Sequence, residues 1–170
     1  MQTAAKKNTL RLLEAGAEGA RFLFSHEDTP AALDQTAAVI SNAAGIEGIF
    51  FFKSVPAGSR PELQYAWQGA DAAAQPEVDV MAGLLVEEIF PRHWTRLQTG
   101  EPILLHTRDL SAELQKRMNS AGMSSLLGFY QPGPDDSGRC GCFIRQAGEE
   151  WTKEEQAFLS MAATAMGEVL

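Results

Sequence analysis

The sequence predicts an α+β domain, a central antiparallel sheet of five to six strands with helices on both faces. Three observations carry this. Apolar residues recur every three to four positions at both ends of the 170-residue chain. Between the ends lie short β-branched and aromatic runs such as IEGIFFFKSV and CGCFIRQ. The two kinds of segment follow in the order helix, helix, strand, strand, helix, strand, helix, strand, strand, helix. An antiparallel sheet layered with helices satisfies that order.

The first helix spans about residues 4–24, where Leu10, Leu13, Ala17, Ala20 and Phe24 form a seam that Gly16 and Gly19 weaken. His26-Glu27-Asp28-Thr29-Pro30 breaks the pattern. Thr29 suits an N-cap and Pro30 a first helical residue. The second helix turns Leu33, Ala37, Ile40 and Ala44 inward and stops at Gly45. Residues 46–55 read as a strand buried on both faces, and 62–69 (ELQYAWQG) pairs with it as a hairpin.

Residues 77–89 carry Val78, Met81, Leu84, Leu85 and Ile89 at helical spacing. FPRHWTRLQTGEPI follows, a short helix anchored by Phe90 and Trp94 and closed by the Gly100–Pro102 turn. PILLHTRDL is a third strand. SAELQKRMNSAG is a helix with Ser111 as cap and Gly122 as stop. MSSLLGFYQ and CGCFIRQ, joined by a turn-rich loop, are the last strands. In the final helix Thr152 and Glu155 stand at capping-box spacing, and Phe158, Met161, Ala162, Ala165 and Val169 form a stripe.

Hydrophobic residues make up 45% and charged residues 21%, the composition of a globular chain with one core. A net charge of −8 with dispersed basic residues argues against nucleic acid. No run is long enough to span a membrane, and no signal-peptide layout opens the chain. The helical pattern is unbroken at Leu170, as in a cytoplasmic piece of a longer receptor. Cys140 and Cys142, two residues apart, are poorly placed for a relaxed disulfide, and nothing requires an oxidising compartment. Cytoplasm is the expected location.

Four runs, in order and spacing, resemble the GAF domain, a small-molecule sensing module of signalling proteins. They are the early helix followed by IEGIFFF; FPRHWTRLQTGEPI, similar to F-P-x-W…L-x-x-G-x-P-I; LQKRMNSAGMSSLL, similar to L-x-x-x-G-x-x-S-L-L; and WTKEEQAFLSMAA, similar to W-S-x-E-E-x-x-L-x-x-x-A. The resemblance covers about residues 32–170. It implies terminal helices that pack together, dimerise and pass a pocket signal to an output domain. Residues 1–28 are then an N-terminal dimerisation helix and 29–170 one domain ending in a signalling helix. Two departures stand out. His93 is an extra residue where similar sequences run F-P-R-W, and GFYQPGPDDSGRCGC replaces a V-P-I run with a short glycine turn. No ligand class carries over, and the cofactor is left unknown.

The candidate ligand site comprises Tyr65, Trp67, Phe90, Arg92, His93, Trp94, His106 and Ser125. Trp94 reads as a pocket wall or as a cap on the core. Tyr65 and Trp67 share a strand face, either the pocket side or the side of the terminal helices. Arg92 and Arg96 suit an anionic ligand, or simply pair with Glu87 or Glu88. His93 or His106 could ligate haem, yet a lone histidine serves as readily as a hydrogen-bonded structural residue.

No catalytic motif is present, and zinc-ligand pairs at the usual spacing are missing, so neither catalytic residues nor a metal is expected. The enzymatic branch of the family, the free methionine-R-sulfoxide reductases, carries its cysteines near the region corresponding to 101–131, where this chain has none. Bilin attachment in phytochrome relatives needs a pocket-helix cysteine, a context that Cys140 and Cys142 lack. The expected function is sensory. The alternatives are a stand-alone thiol redox enzyme using Cys140 and Cys142, and a filled domain that only dimerises.

Overall fold

The computed structural model describes residues 2–25, 28–54, 60–69, 78–133, 138–146 and 150–170. His26, the DAAAQPE loop (71–77) and parts of the expected loops PAGSRP (56–61) and QPGPDDSGR (131–139) lie outside them. The chain divides into two compact units, Met1–Ile46 with Glu150–Leu170, and Glu47–Glu149.

The first unit is helical: α1 (Gln2–Ser25), α2 (Thr29–Ala44) and α6 (Lys153–Val169), each packed against the other two. Asp28, not Thr29, is the N-cap of α2, and its carboxylate accepts from the Ala31 amide at 3.4 Å. With Thr29 already helical, Pro30 falls in the first turn, where its missing N–H has no partner to lose. Leu33, Ala37, Ile40 and Ala44 are buried, and Gly45 ends the helix at φ 64°, a conformation costly for a side chain bearing Cβ. Thr152 and Glu155 form the expected capping box of α6.

The apolar rows that the sequence marks on α1 and α6 are not the faces these helices bury. Leu12, Ala15, Gly19 and Leu23 are the buried residues of α1 among those described, whereas Leu10, Leu13 and Phe24 are 56%, 65% and 71% exposed. In α6 the buried residues are Glu155, Leu159, Ala163, Met166 and Gly167, and Met161 is exposed. Each helix carries two apolar stripes about a quarter turn or more apart, and periodicity alone does not rank them. The glycines settle the matter. A Cβ on Gly19 would lie 3.1 Å from Thr36 Cγ2, and one on Gly16 3.3 Å from the Phe158 ring. The buried Thr36 hydroxyl shares its one proton between the Ala32 carbonyl at 2.8 Å and the Gly19 carbonyl at 3.2 Å. Gly16 and Gly19 thus trade helix propensity for close helix packing.

The second unit holds the sheet. Strands β1 (Gly48–Ser54), β2 (Glu62–Gln68), β3 (Ile103–His106), β4 (Ser125–Pro132) and β5 (Gly138–Arg145) lie in the order β2-β1-β5-β4-β3, every pair antiparallel. A bulge opposite Phe51 and Phe52 places Gln64 as the extra residue of β2. β1 is buried on both faces, as Ile49, Phe50, Phe51 and Phe52 show at most 1% exposure.

One sheet face, made by Phe50, Phe52, Cys140, Cys142, Ile144, Leu126 and Ile103, packs against a long helix and α5 (Ala112–Ser120). The long helix joins the two that the sequence separates. It runs as α3 (Val78–Leu84), a π turn (Leu85–Ile89) and α4 (Phe90–Gln98). Pro91 explains the π turn. It has no N–H to offer the Glu87 carbonyl, and its ring would crowd that oxygen. The backbone winds in one extra residue instead, and Phe90 N–H reaches Leu85 O. Gly100 (φ 80°) and Gly122 (φ 67°) end α4 and α5 as expected.

Candidate ligand site

Helix α4 is amphipathic, and its inner residues meet side chains of β1 and β4. Phe90, only 1% exposed, meets Phe52 edge-on with centroids 5.5 Å apart. One turn later Trp94, half-buried, meets Tyr130 of β4 edge-on at 5.6 Å and 76°. Tyr130 in turn lies across β5, where a Cβ on Gly138 would fall 2.3 Å from the Tyr130 hydroxyl. The rings of Trp94 and Tyr130 therefore form an aromatic rim over a closed apolar layer. Sequence reasoning missed Tyr130. Its signal was its strand parity with Leu126, together with a glycine diagonally across the turn.

Of the eight candidate residues, the structure brings together the four on α4. Phe90 is core, Trp94 is rim, and Arg92 and His93 lie outside. Tyr65, Trp67, His106 and Ser125 lie on the opposite sheet face, so they do not share a site with Trp94. Tyr65 stands opposite Phe51, whose ring it meets at 6.4 Å, and Trp67 stands opposite Ile49. The core face instead takes Ala66 and Gln68, and the Gln68 amide donates to Met81 Sδ at 3.0 Å. His106 pairs with Ser125 across β3 and β4, out of phase with the core residues Ile103 and Leu126. His106 lines a polar groove of about 200 Å³ with Arg108, Gln115, Asn119 and Ser124. The reason is parity: a strand's alternate residues share a face, but the sequence does not say which face lies under α4.

The Ser125 hydroxyl is fully buried and has no hydrogen-bond partner among the described residues. An unpaired buried hydroxyl costs about 1–3 kcal/mol. Ser125→Ala is expected to raise stability by about 1 kcal/mol in urea unfolding. A loss instead would mean that the hydroxyl is used.

Of the two expected arginines, Arg92 takes the plainer reading and pairs with Glu88, whereas Arg96 finds a partner outside the expected pair, Glu101. Glu88, in the π turn, accepts from Arg92 at 2.9 Å and from Arg117 of α5. Glu87 accepts from Arg60 at 3.0 Å, and Arg96 pairs with Glu101 at 2.7 Å. The two arginines hold the Glu88 carboxyl below its ordinary range. Partial burial, then the charges of Arg96 and Arg92, push His93 below its ordinary 6.5. A histidine kept neutral in the fold protonates more readily in the unfolded chain. The resulting stability is complete above about pH 6.5 and is lost as pH falls through that value toward the folded-state pKa. Between pH 7.5 and 5.5 the wild-type Tm should therefore drop further than that of His93→Gln.

Cys140 and Cys142 point into the core face, beside Phe52 and Phe50, and both are fully buried. Burial pushes the Cys140 thiol up to about 12 and the Cys142 thiol well above its ordinary value. Both are neutral thiols at physiological pH, without nucleophilic character. Among the described residues, no group of three or more His, Cys, Asp and Glu side chains could hold a metal ion. No described helix is long and apolar enough to cross a membrane.

No protein-family model matches the chain, and no curated protein matches its sequence. Solved structures do. The phycocyanobilin-bound GAF domain from a cyanobacterial phytochrome aligns with TM-score 0.66 over 92% of each chain, at 7% identity. The GAF domain of a phosphoenolpyruvate-protein phosphotransferase from Coxiella burnetii aligns at 0.65 over 95% of this chain and 94% of that one, at 14% identity. The chain has the GAF fold. The free methionine-R-sulfoxide reductase from Neisseria meningitidis, solved with its substrate, has a similar fold (TM-score 0.62, 12% identity, 93% of this chain and 87% of that one). At these identities the likeness extends to the fold. Within this GAF fold the α4 segment and the strands beneath it are the candidate ligand site.

Proposed function

We propose that this chain is a sensory GAF domain, which binds a small molecule at the Trp94–Tyr130 rim and passes the event through its terminal helices to an output domain. The observation that carries the reading is the rim itself. Two aromatic rings, one on a helix and one on a strand, meet edge-on over packed apolar side chains. A planar or apolar ligand group can slide between or over such rings with little loss of rotamer freedom. Arg92 and His93, two residues and one residue before Trp94, are the polar groups nearest in sequence to grade its specificity. Ligand binding would favour one placement of α4, and that population shift would bias the packing of α1 and α6. The GAF neighbours support a small-molecule partner, since one of them is bilin-bound.

In this reading the domain is not itself an enzyme, works in the cytoplasm, touches neither membrane nor nucleic acid, and forms a homodimer through its terminal helices. The reductase alternative, with Cys140 and Cys142 as redox pair, is disfavoured by the burial and neutrality of both thiols.

The test is a thermal-shift screen over bilins, amino acids including methionine sulfoxide, cyclic nucleotides and haem. A bound compound raises Tm with its saturation. A hit should also change Trp94 fluorescence in a Trp67→Phe/Trp151→Phe background, and Trp94→Leu should abolish it. A hit indifferent to Trp94→Leu would place the ligand elsewhere. NADPH-coupled reduction of free methionine sulfoxide, lost in Cys140→Ser, would overturn the non-enzymatic reading.

A further inference from the structure

The exposed stripe of α1 carries more than apolar residues. Leu10 and Leu13 are 56% and 65% exposed, and Ala17 continues the row one turn on. Along one flank of this seam stand Lys7, Arg11, Glu14 and Glu18, all exposed. Their spacing of four, three and four keeps them on one side of the helix. The order of sign of these four, plus, plus, minus, minus, is its own complement when the chain is read backwards; Arg21 continues the row three residues on and lies against Glu18 of its own helix. Lys7 and Glu14 make no ion pair among the described residues. Arg11 is held only by Asn8, at 2.8 Å, and Glu18 only loosely by Arg21, at 3.9 Å.

We propose that α1 pairs antiparallel with α1 of a second copy, about a twofold axis passing between Leu12 and Leu13. This rests on the homodimer proposed above and specifies its geometry. In that register Lys7 faces Glu18 of the second copy and Arg11 faces its Glu14. Symmetry repeats both contacts, giving four opposite-charge pairs. The same register brings Leu10 and Leu13 of both copies together at the axis. Each leucine lies within about 3 Å, along the axis, of a leucine of the other copy. Charge and apolar pattern thus select one register.

Direction is decided by which flank meets which. In an antiparallel pair a flank of the seam meets the same flank of its partner, and in a parallel pair it meets the opposite one. The opposite flank of α1 carries Thr9, Gly16 and Leu23 and no charge, and Leu23 is already buried within its own chain. A parallel pair would therefore leave all four charges facing uncharged, partly covered surface. The antiparallel pair satisfies them.

Two measurements test this on the full chain. First, sedimentation should show a dimer whose dissociation constant rises at least about tenfold in Lys7→Glu/Arg11→Glu, where all four pairs become repulsive. It should return toward the wild-type value when Glu14→Lys/Glu18→Lys is added. Helix content by circular dichroism checks that α1 still forms. Second, under mild oxidation, Lys6→Cys and Ala17→Cys chains should cross-link when mixed. Neither should cross-link alone, because each position lies well over 10 Å from its own symmetry copy in this register. Cross-linking of each variant with itself, in a chain that sediments as a dimer, would overturn the antiparallel arrangement and leave the dimer standing. A chain that sediments as a monomer at high concentration would remove the dimer itself.

Discussion

Phe90→Ala is expected to destabilise the domain by about 3–5 kcal/mol, the cost of removing a fully buried aromatic side chain. Phe90 is 1% exposed and rests edge-on against Phe52, so the vacated space is walled by β1 and the helix itself. Sheet and helix backbones hold that wall in place, and collapse around the cavity should be small. Against a typical total of about 5–15 kcal/mol, the loss takes a large share of the stability. Urea unfolding should show a lower midpoint with the slope unchanged. Phe90→Leu should cost far less, because it keeps much of the volume. A loss below about 1 kcal/mol in Phe90→Ala would show that the space beneath α4 is not closed. Any ligand at the Trp94–Tyr130 rim should also bind more weakly to Phe90→Ala, since Phe90 supports Trp94 from one turn below.

Gly141→Ala has the second-largest expected effect, through overpacking. A Cβ at this position would lie 2.3 Å from the Phe50 carbonyl oxygen and 2.6 Å from the Phe129 ring. The first obstacle is backbone, which a rotamer change does not move. Gly141 sits in the register of β5 with both β1 and β4, opposite Phe51 and Phe129. Relief therefore means parting one of the two central strand pairs. The expected cost lies at the upper end of, or above, about 1–3 kcal/mol for overpacked sites. Gly83→Ala is the control. It lies within α3 with nothing within 4 Å of the added Cβ, and should gain about 0.5–1 kcal/mol from helix propensity. Equal responses at the two glycines would mean that sheet sterics are not what matters at Gly141.

The fold was readable because its signals are local. Thr152 with Glu155, Gly45, Gly122 and the Gly100–Pro102 turn mark ends that depend on a few neighbouring residues. The IFFF run declares a central strand by having no polar face. Tertiary choices between equivalent local options were not readable. The α1 sequence offers both Leu10–Leu13 and Leu12–Leu23 as seams, and only the Gly19–Thr36 contact selects the second. Tyr65 and Trp67 announce that they share a face, but the face packed against α3, α4 and α5 belongs to Phe50 and Phe52, not to their partner Phe51. His106 and Ser125 fail as pocket residues for the same reason. Trp94 was legible as a landmark, but Tyr130 was not, because their meeting joins a helix to a strand about 36 residues further on. The sequence sets the 77–89 helix apart from the short helix of FPRHW, whereas the chain accommodates Pro91 by a π turn and runs on.

The position of β1 in the sheet has a consequence for handling the protein. Ile49–Phe52 is an uncharged, strongly β-forming run of the kind that stacks into cross-β aggregates when exposed. In the native order it is paired on both sides, by β2 and β5. The sheet's outer positions fall to the four-residue β3 and to the bulged β2, with its leading Glu62, and both offer poor templates for a passing strand. β2 is therefore the gatekeeper of the molecule's solubility. Partial unfolding that released only the β1–β2 hairpin pairing would uncover the Phe-rich edge while the rest of the domain stayed native. Precipitation during concentration or storage should then track local opening of β2, and arise well below the temperature of global unfolding.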